Sequence, residues 1–383
     1  EYDNVVRLSR QLGYRTQGKP SSSGIVTFYC IVPANSVGLG PDSSYLPILK
    51  KNSQVKSKNG VSFILEQDVR FDNPNNEIVS ARINPTTGVP TSYAVKAHGR
   101  VISGILSEET VSIGDFEKFK KVELSSRNIT EILSVTDLEG NDYYEVDYLS
   151  QNVIYRDVTN RQGDKDDVPT ILKPFTVPRR FTAIQEYEKT FLQFGYGSDS
   201  ELAEPSIAEP SNVALKMHGK EYISDFSFDP SKLLSTDKFG VAPSDTNLTI
   251  TYRRNVARLS NASAGTIVQA VSPKLEFKDP SVLNGTQRSV VLNSFSVYNS
   301  DPIMGSVANP STDELRNNIR DTFASQNRAV TEQDYKAFTY LMPAQFGAIR
   351  RCAVYRDSDS FRRNLNFYVI SSNNQDQLVT TNH

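Results

Sequence analysis

Short runs of β-branched and aromatic residues recur along most of the chain and predict β-strands. Residues 25–32 form the first run, and residues 61–65 follow Asn59-Gly60, a dipeptide that favours a tight hairpin turn. Between residues 247 and 252, apolar side chains alternate with polar ones, as in a strand with one buried face. Strands are also predicted at residues 93–97, 101–105, 120–124, 129–135, 143–146, 153–155, 181–184 and 191–194.

Helical patterns occur at both ends of the chain. Residues 1–13 carry apolar residues at helical spacing, and Gly13 suits the left-handed residue that follows a last helical turn. Near the C-terminus, Ser311 and Glu314 have the spacing of a capping box at the start of a helix. The apolar face of that helix is predicted to consist of Leu315, Ile319 and Phe323.

A second C-terminal helix is predicted to begin after Thr331, because its hydroxyl and the Asp334 carboxylate can cap the first turn, and to stop before Pro343. Phe338 is its expected core position. Two strands follow, at residues 349–355 and 365–370. The inward face of the last strand is predicted to consist of Leu365, Phe367 and Val369.

These elements predict a mainly β protein, built of antiparallel β domains, with a smaller C-terminal α/β (α+β) unit. A cluster of serines at residues 21–23 is interpreted as a linker, and the charged stretch at residues 160–169 as a surface loop. We expect the chain to be a fragment of a longer protein, since it begins inside a helical pattern. The expected segments are the end of a helical region (1–20), a first β domain (21–160), a second β domain (161–300) and the C-terminal unit (301–383), which we expect to be truncated.

The charge balance narrows the possible partners. The chain has 42 basic and 44 acidic residues among 383, and its net charge is −2. This balance predicts neither a general electrostatic affinity for nucleic acid nor one for an anionic membrane. Cys30 and Cys352 lie in apolar strand-like runs and are predicted to be buried, reduced thiols. Glycosylation sequons occur by chance in such a chain, here at Asn128, Asn247, Asn261 and Asn284.

Residues suited to catalysis or to metal binding are sparse. His98 and His218 each precede a glycine in a predicted turn, His383 ends the chain, and no nucleophile elbow is present. The acidic residues Asp164, Asp166 and Asp167 lack the glycine and terminal glutamate of a calcium loop, and no Cys/His spacing suits zinc. The short Gly195-x-Gly197 motif does not extend to a phosphate-binding loop. We expect no catalytic residue, no cofactor and no metal.

One cluster of charge has two interpretations. Five arginines surround the last predicted hairpin, and their side chains could blunt an exposed strand edge. They could equally form a contact surface for an acidic partner or for a second copy of the chain, because arginine pairs well with carboxylates. The candidate interface residues are Arg350, Arg351, Arg356, Arg362 and Arg363.

A series of short motifs runs through the chain in a fixed order. They are Leu12-Gly13-Tyr14; Val135-Thr136-Asp137 with Gly140 and Tyr143-Tyr144-Glu145-Val146; Pro178-Arg179-Arg180-Phe181 followed by Leu192-Gln193-Phe194-Gly195-Tyr196-Gly197; Leu248-Thr249-Ile250-Thr251-Tyr252; and Asn327-Arg328-Ala329-Val330-Thr331 with Asp334-Tyr335, followed by Gly347-Ala348-Ile349-Arg350-Arg351. This series resembles the baseplate J-like family, whose members include the large wedge subunits of contractile-tailed, T-even-type phages. The N-terminal part of such proteins and a closing C-terminal helix are not matched.

The resemblance implies a non-enzymatic structural component of a tail baseplate wedge. It further implies a homodimer that joins adjacent wedges into a sixfold ring around the tail tube. Other wedge and tail proteins would then be partners, and the protein would be part of the virion after assembly in the host cytoplasm. Two other classes stay open: an extracellular adhesin or carbohydrate-binding β module, and a polysaccharide-degrading tail enzyme with paired carboxylates in a cleft.

Overall fold

The protein is mainly β, as the sequence predicts. Of the residues that the structure describes, 43% lie in strands and 15% in helices, and the sheets are mainly antiparallel. The structure, a computed structural model, describes residues 1–36, 40–161, 163, 168–186, 189–198, 239–281, 283–358 and 364–380. The chain divides into two compact units. Unit 1 comprises Glu1–Leu106, Asn128–Glu131 and Arg253–His383, and unit 2 comprises Ser107–Arg127 and Ile132–Tyr252.

The helices and the strands are each numbered in chain order. Among the described residues, the helices are α1 (Tyr2–Ser9), α2 (Gly285–Ser294), α3 (Thr312–Ser325) and α4 (Glu332–Tyr340). The strands are β1 (Ser23–Pro33), β2 (Ile48–Leu49), β3 (Gln54–Ser57), β4 (Ser62–Leu65), β5 (Val69–Arg70), β6 (Glu77–Ile83), β7 (Pro90–Ser103), β8 (Ile105–Ile113), β9 (Lys121–Glu123), β10 (Ile129–Thr136), β11 (Asp142–Glu145), β12 (Val153–Thr159), β13 (Thr170–Thr176), β14 (Arg180–Glu186), β15 (Lys189–Phe194), β16 (Thr246–Arg254), β17 (Ile267–Ser272), β18 (Leu275–Glu276), β19 (Ser296–Tyr298), β20 (Arg351–Arg356), β21 (Leu365–Ser372) and β22 (Leu378–Val379).

Unit 1 is built on a large antiparallel sheet in the order β17-β3-β4-β7-β1-β19, with β6 added beside β7. Alternate residues of β1 are buried, which is the pattern of a strand with one face in a core. Helix α2 and the small sheet β18-β2-β5 cover that face, since Val291, Leu49 and Val69 belong to the same apolar cluster as Phe28. The predicted hairpin at Asn59-Gly60 is confirmed by the pairing of β3 with β4.

The predicted turn at His98-Gly99 is wrong, because both residues lie inside the single long strand β7. They pair with Thr27 and Val26 of β1. A Cβ atom at position 99 would lie 2.5 Å from Val69 Cγ2 and 2.9 Å from Leu65 Cδ1. Gly99 therefore lets the side chains of Val69 and Leu65 pack closely against β7, and it does not mark a turn.

The linker predicted at residues 21–23 is also wrong. Ser21 and Ser22 are fully buried, and Ser23 begins β1. A Cβ atom at Gly305 or Gly347 would lie 2.8 Å from the Ser21 carbonyl oxygen, so the three backbone segments are in close contact. This close approach requires glycine at positions 305 and 347.

Unit 2 contains a second sheet in the order β8-β16-β10-β11-β14-β15-β9, together with the separate hairpin β12-β13. The alternating pattern predicted for β16 is confirmed, since Leu248, Ile250 and Tyr252 are all buried. Most pairs are antiparallel, but β11 and β14 run parallel. The core includes a perpendicular contact between the Tyr143 and Phe194 rings, whose centroids are 5.5 Å apart.

The described C-terminal segment contains α3, α4 and the antiparallel sheet β20-β21-β22. Both predicted capping boxes are confirmed, at Ser311 with Glu314 and at Thr331 with Asp334. Leu315 and Ile319 pack in one apolar cluster with Val6 of α1. The predicted apolar face of α3 is too long, because Phe323 is exposed. Phe338 is half-buried.

The compact units differ from the contiguous domains expected from the sequence. The segment at residues 253–300 belongs to unit 1 because β17 pairs with β3 and β19 pairs with β1. The C-terminal elements belong to unit 1 as well. Strand pairing between residues far apart in sequence joins these segments, and it leaves no local mark in the composition.

Candidate interaction surfaces

The arginines predicted as an interface lie around β20. Arg350 precedes the strand, Arg351 begins it and Arg356 ends it. Arg362 and Arg363 are outside the described residues. The structure thus brings three of the five candidates to one strand, and their environments differ.

Arg350 and Arg351 are engaged within the chain by one carboxylate. The Glu314 side chain accepts a hydrogen bond from the Ser311 backbone N–H at 3.1 Å, as part of the capping box. The same carboxylate lies 2.9 Å from a guanidinium nitrogen of Arg351 and 3.7 Å from one of Arg350. Glu314 therefore links the start of α3 to the start of β20.

The environment of Glu314 favours its charged form. Burial on its own raises the pKa of this carboxyl group. The hydrogen bonds from Ser311 and Arg351, together with the charges of Arg350 and Arg351, lower the pKa by a larger amount. The net result is a pKa below the usual value. Because its pKa is lower in the folded chain, ionised Glu314 stabilises the fold at pH values above its unfolded-state pKa of about 4.3. This contribution is lost as the pH falls through the folded-state pKa.

We expect Glu314→Gln to lower the free energy of unfolding by about 1 kcal/mol at pH 7, because it removes a charged cap and two partly exposed ion pairs. The deficit should shrink as the pH falls through the folded-state pKa of Glu314, because the wild-type carboxylate is then itself protonated. Urea unfolding measured at pH 7 and at a series of lower pH values tests this. Asp301→Asn, which removes an exposed carboxylate of the same unit, is the matched control. A deficit that persists unchanged at low pH would contradict the charge mechanism.

The outer edge of β20 is capped by side chains from α4. The Cys352 backbone N–H donates to the Tyr340 hydroxyl at 3.0 Å, and the Arg356 N–H donates to the Glu332 carboxylate at 3.3 Å. At these two positions the strand edge is satisfied without help from arginine side chains. The Arg356 side chain is exposed. Both interpretations of the arginine cluster stay hypotheses.

The inward face predicted for β21 is wrong, because Phe367 and Val369 are 48% and 51% exposed. Phe367 contacts Tyr335 of α4, with ring centroids 5.9 Å apart, but α4 does not cover it fully. On the opposite face, Tyr368 is 59% exposed and touches Tyr355. The sheet therefore presents apolar and aromatic side chains on both faces, which is the composition of a protein–protein contact surface.

A second exposed surface was not singled out by the sequence analysis. Strands β12 and β13 form a two-stranded hairpin in unit 2, and most of their side chains are exposed on both faces. Tyr155, Leu172 and Pro174 lie on one face, and Leu172 is 66% exposed. We refer to β12 and β13 as the arm. The signal in the sequence was present, since both strands carry charged residues between apolar ones, but nothing local showed that neither face would be covered.

The arm is anchored at its base by aromatic contacts. The Arg156 guanidinium lies over the Tyr144 ring at 4.7 Å and over the Phe175 ring at 5.0 Å. The Tyr144 and Phe175 rings also meet edge to face, with centroids 5.8 Å apart. Such contacts hold the base in place. An isolated two-stranded hairpin is only marginally stable in water, so the distal arm suits a surface that is completed by a partner.

The motif residues of unit 2 have structural tasks. Arg180 is fully buried and donates to the Leu149 and Val177 carbonyl oxygens at 2.7 Å each. Gly240, with φ +83°, packs against the Arg180 side chain, and Gly195 packs against Gly240. The Gly195-x-Gly197 motif thus serves close backbone packing. In the β10–β11 turn, the Asp137 carboxylate accepts two backbone hydrogen bonds.

In the described part of the chain, no set of three or more His, Cys, Asp or Glu side chains could hold a metal ion. His98 Nδ1 lies 3.2 Å from Thr27 Oγ1. Burial raises the pKa of the Cys30 thiol to about 12, so this thiol stays protonated. The predicted burial is confirmed for Cys30, whereas Cys352 is half-buried; both thiols are free. His218, His383, Asp164, Asp166 and Asp167 are outside the described residues.

The sequon at Asn261 is incompatible with glycosylation of the folded chain. Asn261 is buried, and its Nδ2 donates to the Ser306 and Ser372 carbonyl oxygens at 2.9 and 2.8 Å. The Asn284 side chain caps α2. Among the described helices, none is long and apolar enough to cross a membrane.

Comparison with known proteins adds no assignment. No protein-family model matches the chain, and no curated protein matches it.

Proposed function

We propose that this chain is a structural component of a contractile phage tail baseplate wedge, which works through protein–protein contacts and belongs to the virion tail. The observation that carries the proposal is the ordered series of motifs similar to the baseplate J-like family. Their residues have demanding structural tasks in this chain. Asn327, in the last motif, has a left-handed backbone with φ +58°, and Thr331 and Asp334 form a capping box directly after it.

The exposed surfaces support the same proposal. The C-terminal sheet and the arm both present aromatic and aliphatic side chains to solvent, through Tyr368 and Leu172 among others. A wedge subunit needs more than one such surface, because a ring closes only through a heterologous contact or through two different isologous ones. The arm and the C-terminal sheet belong to different units and so supply two separate candidates.

We expect this chain alone to form a homodimer through its C-terminal half and not the complete ring. Sedimentation velocity at micromolar concentration measures this directly. Tyr368→Asp places a charge on the exposed sheet and is expected to shift the dimer to monomer. Leu172→Asp makes an equally exposed change on the arm and is expected to leave the dimer intact. A wild-type monomer, or a dimer that only the arm variant dissociates, would contradict the prediction.

The wedge assignment itself is tested by its partners. Co-expression with the products of neighbouring reading frames should recover a complex with other wedge or tail proteins. The alternative, an adhesin or carbohydrate-binding module, predicts binding to a glycan array and no such complex.

Charge reversal of Arg350 and Arg351 to glutamate, followed by light scattering, tests whether this pair contributes to self-association. Unchanged assembly would remove the pair from the interface.

A further inference from the structure

Four buried serines meet in unit 1, where the C-terminal sheet contacts the main β structure. Ser21, Ser260, Ser306 and Ser372 each expose 1% of their surface or less. They come from four separate segments of the chain. We refer to these four residues as the serine seam.

Backbone contacts around Asn261 bring the segments that carry the seam close together. The Asn261 side chain donates to the Ser306 carbonyl at 2.9 Å and to the Ser372 carbonyl at 2.8 Å. Ser260 is its neighbour in sequence. Ser21 lies against Gly305, the residue before Ser306, because a Cβ atom at Gly305 would be 2.8 Å from the Ser21 carbonyl oxygen.

The hydroxyl groups of all four serines lack a hydrogen-bond partner among the described residues. Removing a hydroxyl group from water without a new partner lowers the folding equilibrium constant about fivefold or more. Four such losses multiply to roughly several hundredfold. Native proteins satisfy nearly all their buried polar groups, so these four hydroxyls require partners.

Water is the partner that fits their chemistry. A hydroxyl both donates and accepts, and the four groups carry no charge. Buried water molecules typically make about three hydrogen bonds to otherwise unsatisfied polar groups. A cation is less well suited, because the seam itself supplies no carboxylate. One buried carboxylate oxygen, on Asp376 in the adjoining turn, also lacks a partner among the described residues, so the test includes a cation arm.

We propose that the serine seam is a binding site for ordered water molecules, which bridge the four hydroxyls and complete the joint between the C-terminal sheet and the main β structure. Asn261 supplies the direct hydrogen bonds of this joint, and the bound water supplies the rest. The joint is therefore partly solvent-mediated, although its members are buried.

The test compares Ser306→Ala, Ser372→Ala and the double variant by urea unfolding. If water bridges the hydroxyls, each single variant raises the unfolding equilibrium constant about fivefold. The double variant then raises this constant by less than the product of the two single effects, because both hydroxyls share the same water. Single variants as stable as the wild type, or more stable, would overturn the proposal, since that result would show that the wild-type hydroxyls have no partner. A double-variant effect equal to the product of the two single effects would show that no water bridges the two hydroxyls, and it would overturn the proposal as well. Ser80→Ala, at an exposed position of β6, is the control and should change nothing.

A crystal structure of the wild-type chain provides a second measurement that does not depend on the variants folding. Ordered water within about 2.7–3.0 Å of at least two of the hydroxyls is the expected result. A dry seam, with the hydroxyls turned onto backbone carbonyls, would overturn the proposal. Stability that rises on addition of sodium or calcium chloride, relative to equal ionic strength of a bulky organic salt, would assign the seam to a cation and overturn it as well.

Discussion

Replacing Gly195 with alanine is expected to destabilise unit 2 by about 3 kcal/mol or more, because the new methyl group has no free space. Its carbon would lie 2.0 Å from the Gly240 carbonyl oxygen and 2.2 Å from that of Phe239. Both obstacles are backbone atoms, so no side-chain rotation relieves the clash. The backbone at Gly240 cannot retreat easily, since the Arg180 side chain packs directly against it.

Gly114→Ala is the matched control for this variant. It lies in the same unit, and a Cβ atom there would meet no atom within 4 Å. Its effect should stay within about 1 kcal/mol, in the stabilising direction if the backbone is compatible. Chemical unfolding followed by circular dichroism compares the two. Equal effects at the two glycines would contradict the close packing of Gly195 on Gly240.

Replacing Asn261 with aspartate is expected to destabilise unit 1 by about 4 kcal/mol at pH 7, although the two side chains have nearly the same shape. The change puts a carboxylate oxygen where Nδ2 now donates to Ser306 and Ser372. The remaining amide oxygen accepts from the Ser306 backbone N–H at 2.9 Å, and that bond can persist. Two carbonyl oxygens would therefore face a buried negative charge.

The pH dependence of this variant identifies the cause. Burial beside two carbonyl oxygens should raise the pKa of the new aspartate, so the folded variant binds a proton more tightly than the unfolded chain. Its deficit relative to the wild type should then shrink as the pH falls from 7 to 5. Asn75→Asp, which makes the same change at an exposed position of unit 1, controls for net charge. A deficit independent of pH would exclude the buried carboxylate as the cause.

The Gly195 variant also bears on how the motifs are interpreted. Gly195 belongs to the series that resembles the baseplate J-like family, and its role here is to let two backbone segments approach closely. The loss expected for Gly195→Ala would show that the motif maintains the fold. It would not identify partners, which is why the proposed wedge function is tested by assembly and co-purification.

Features set by neighbouring residues could be predicted from the sequence. The capping boxes at Ser311 and Thr331 depend on side chains three positions apart, so local spacing is sufficient. The turn at Asn59-Gly60 and the left-handed Gly13, with φ +79°, follow from the same kind of information. The alternation in β16 also reported its buried face correctly, because the period of a strand is two.

Features that depend on distant residues could not be predicted. Gly99 resembled a turn glycine, but its role is set by Val69 and Leu65, which a Cβ atom would strike. Ser21 resembled linker sequence, but Gly305 and Gly347 close over it from more than 280 positions away in the chain. The environment of the candidate arginines was hidden for the same reason, since Glu314 engages Arg350 and Arg351 across the fold.

The sequence by itself determined the mainly β class, the capping boxes of the two C-terminal helices and the turn at Asn59-Gly60, because these follow from the conformational preferences of adjacent residues. Only the tertiary structure decided which apolar faces are covered. Phe367 and Leu172 have the apolar character of core residues, yet both are exposed, because the elements around them leave those surfaces open. Burial is a property of the whole arrangement of segments, and so the surfaces that carry the proposed function emerge only once the chain has folded.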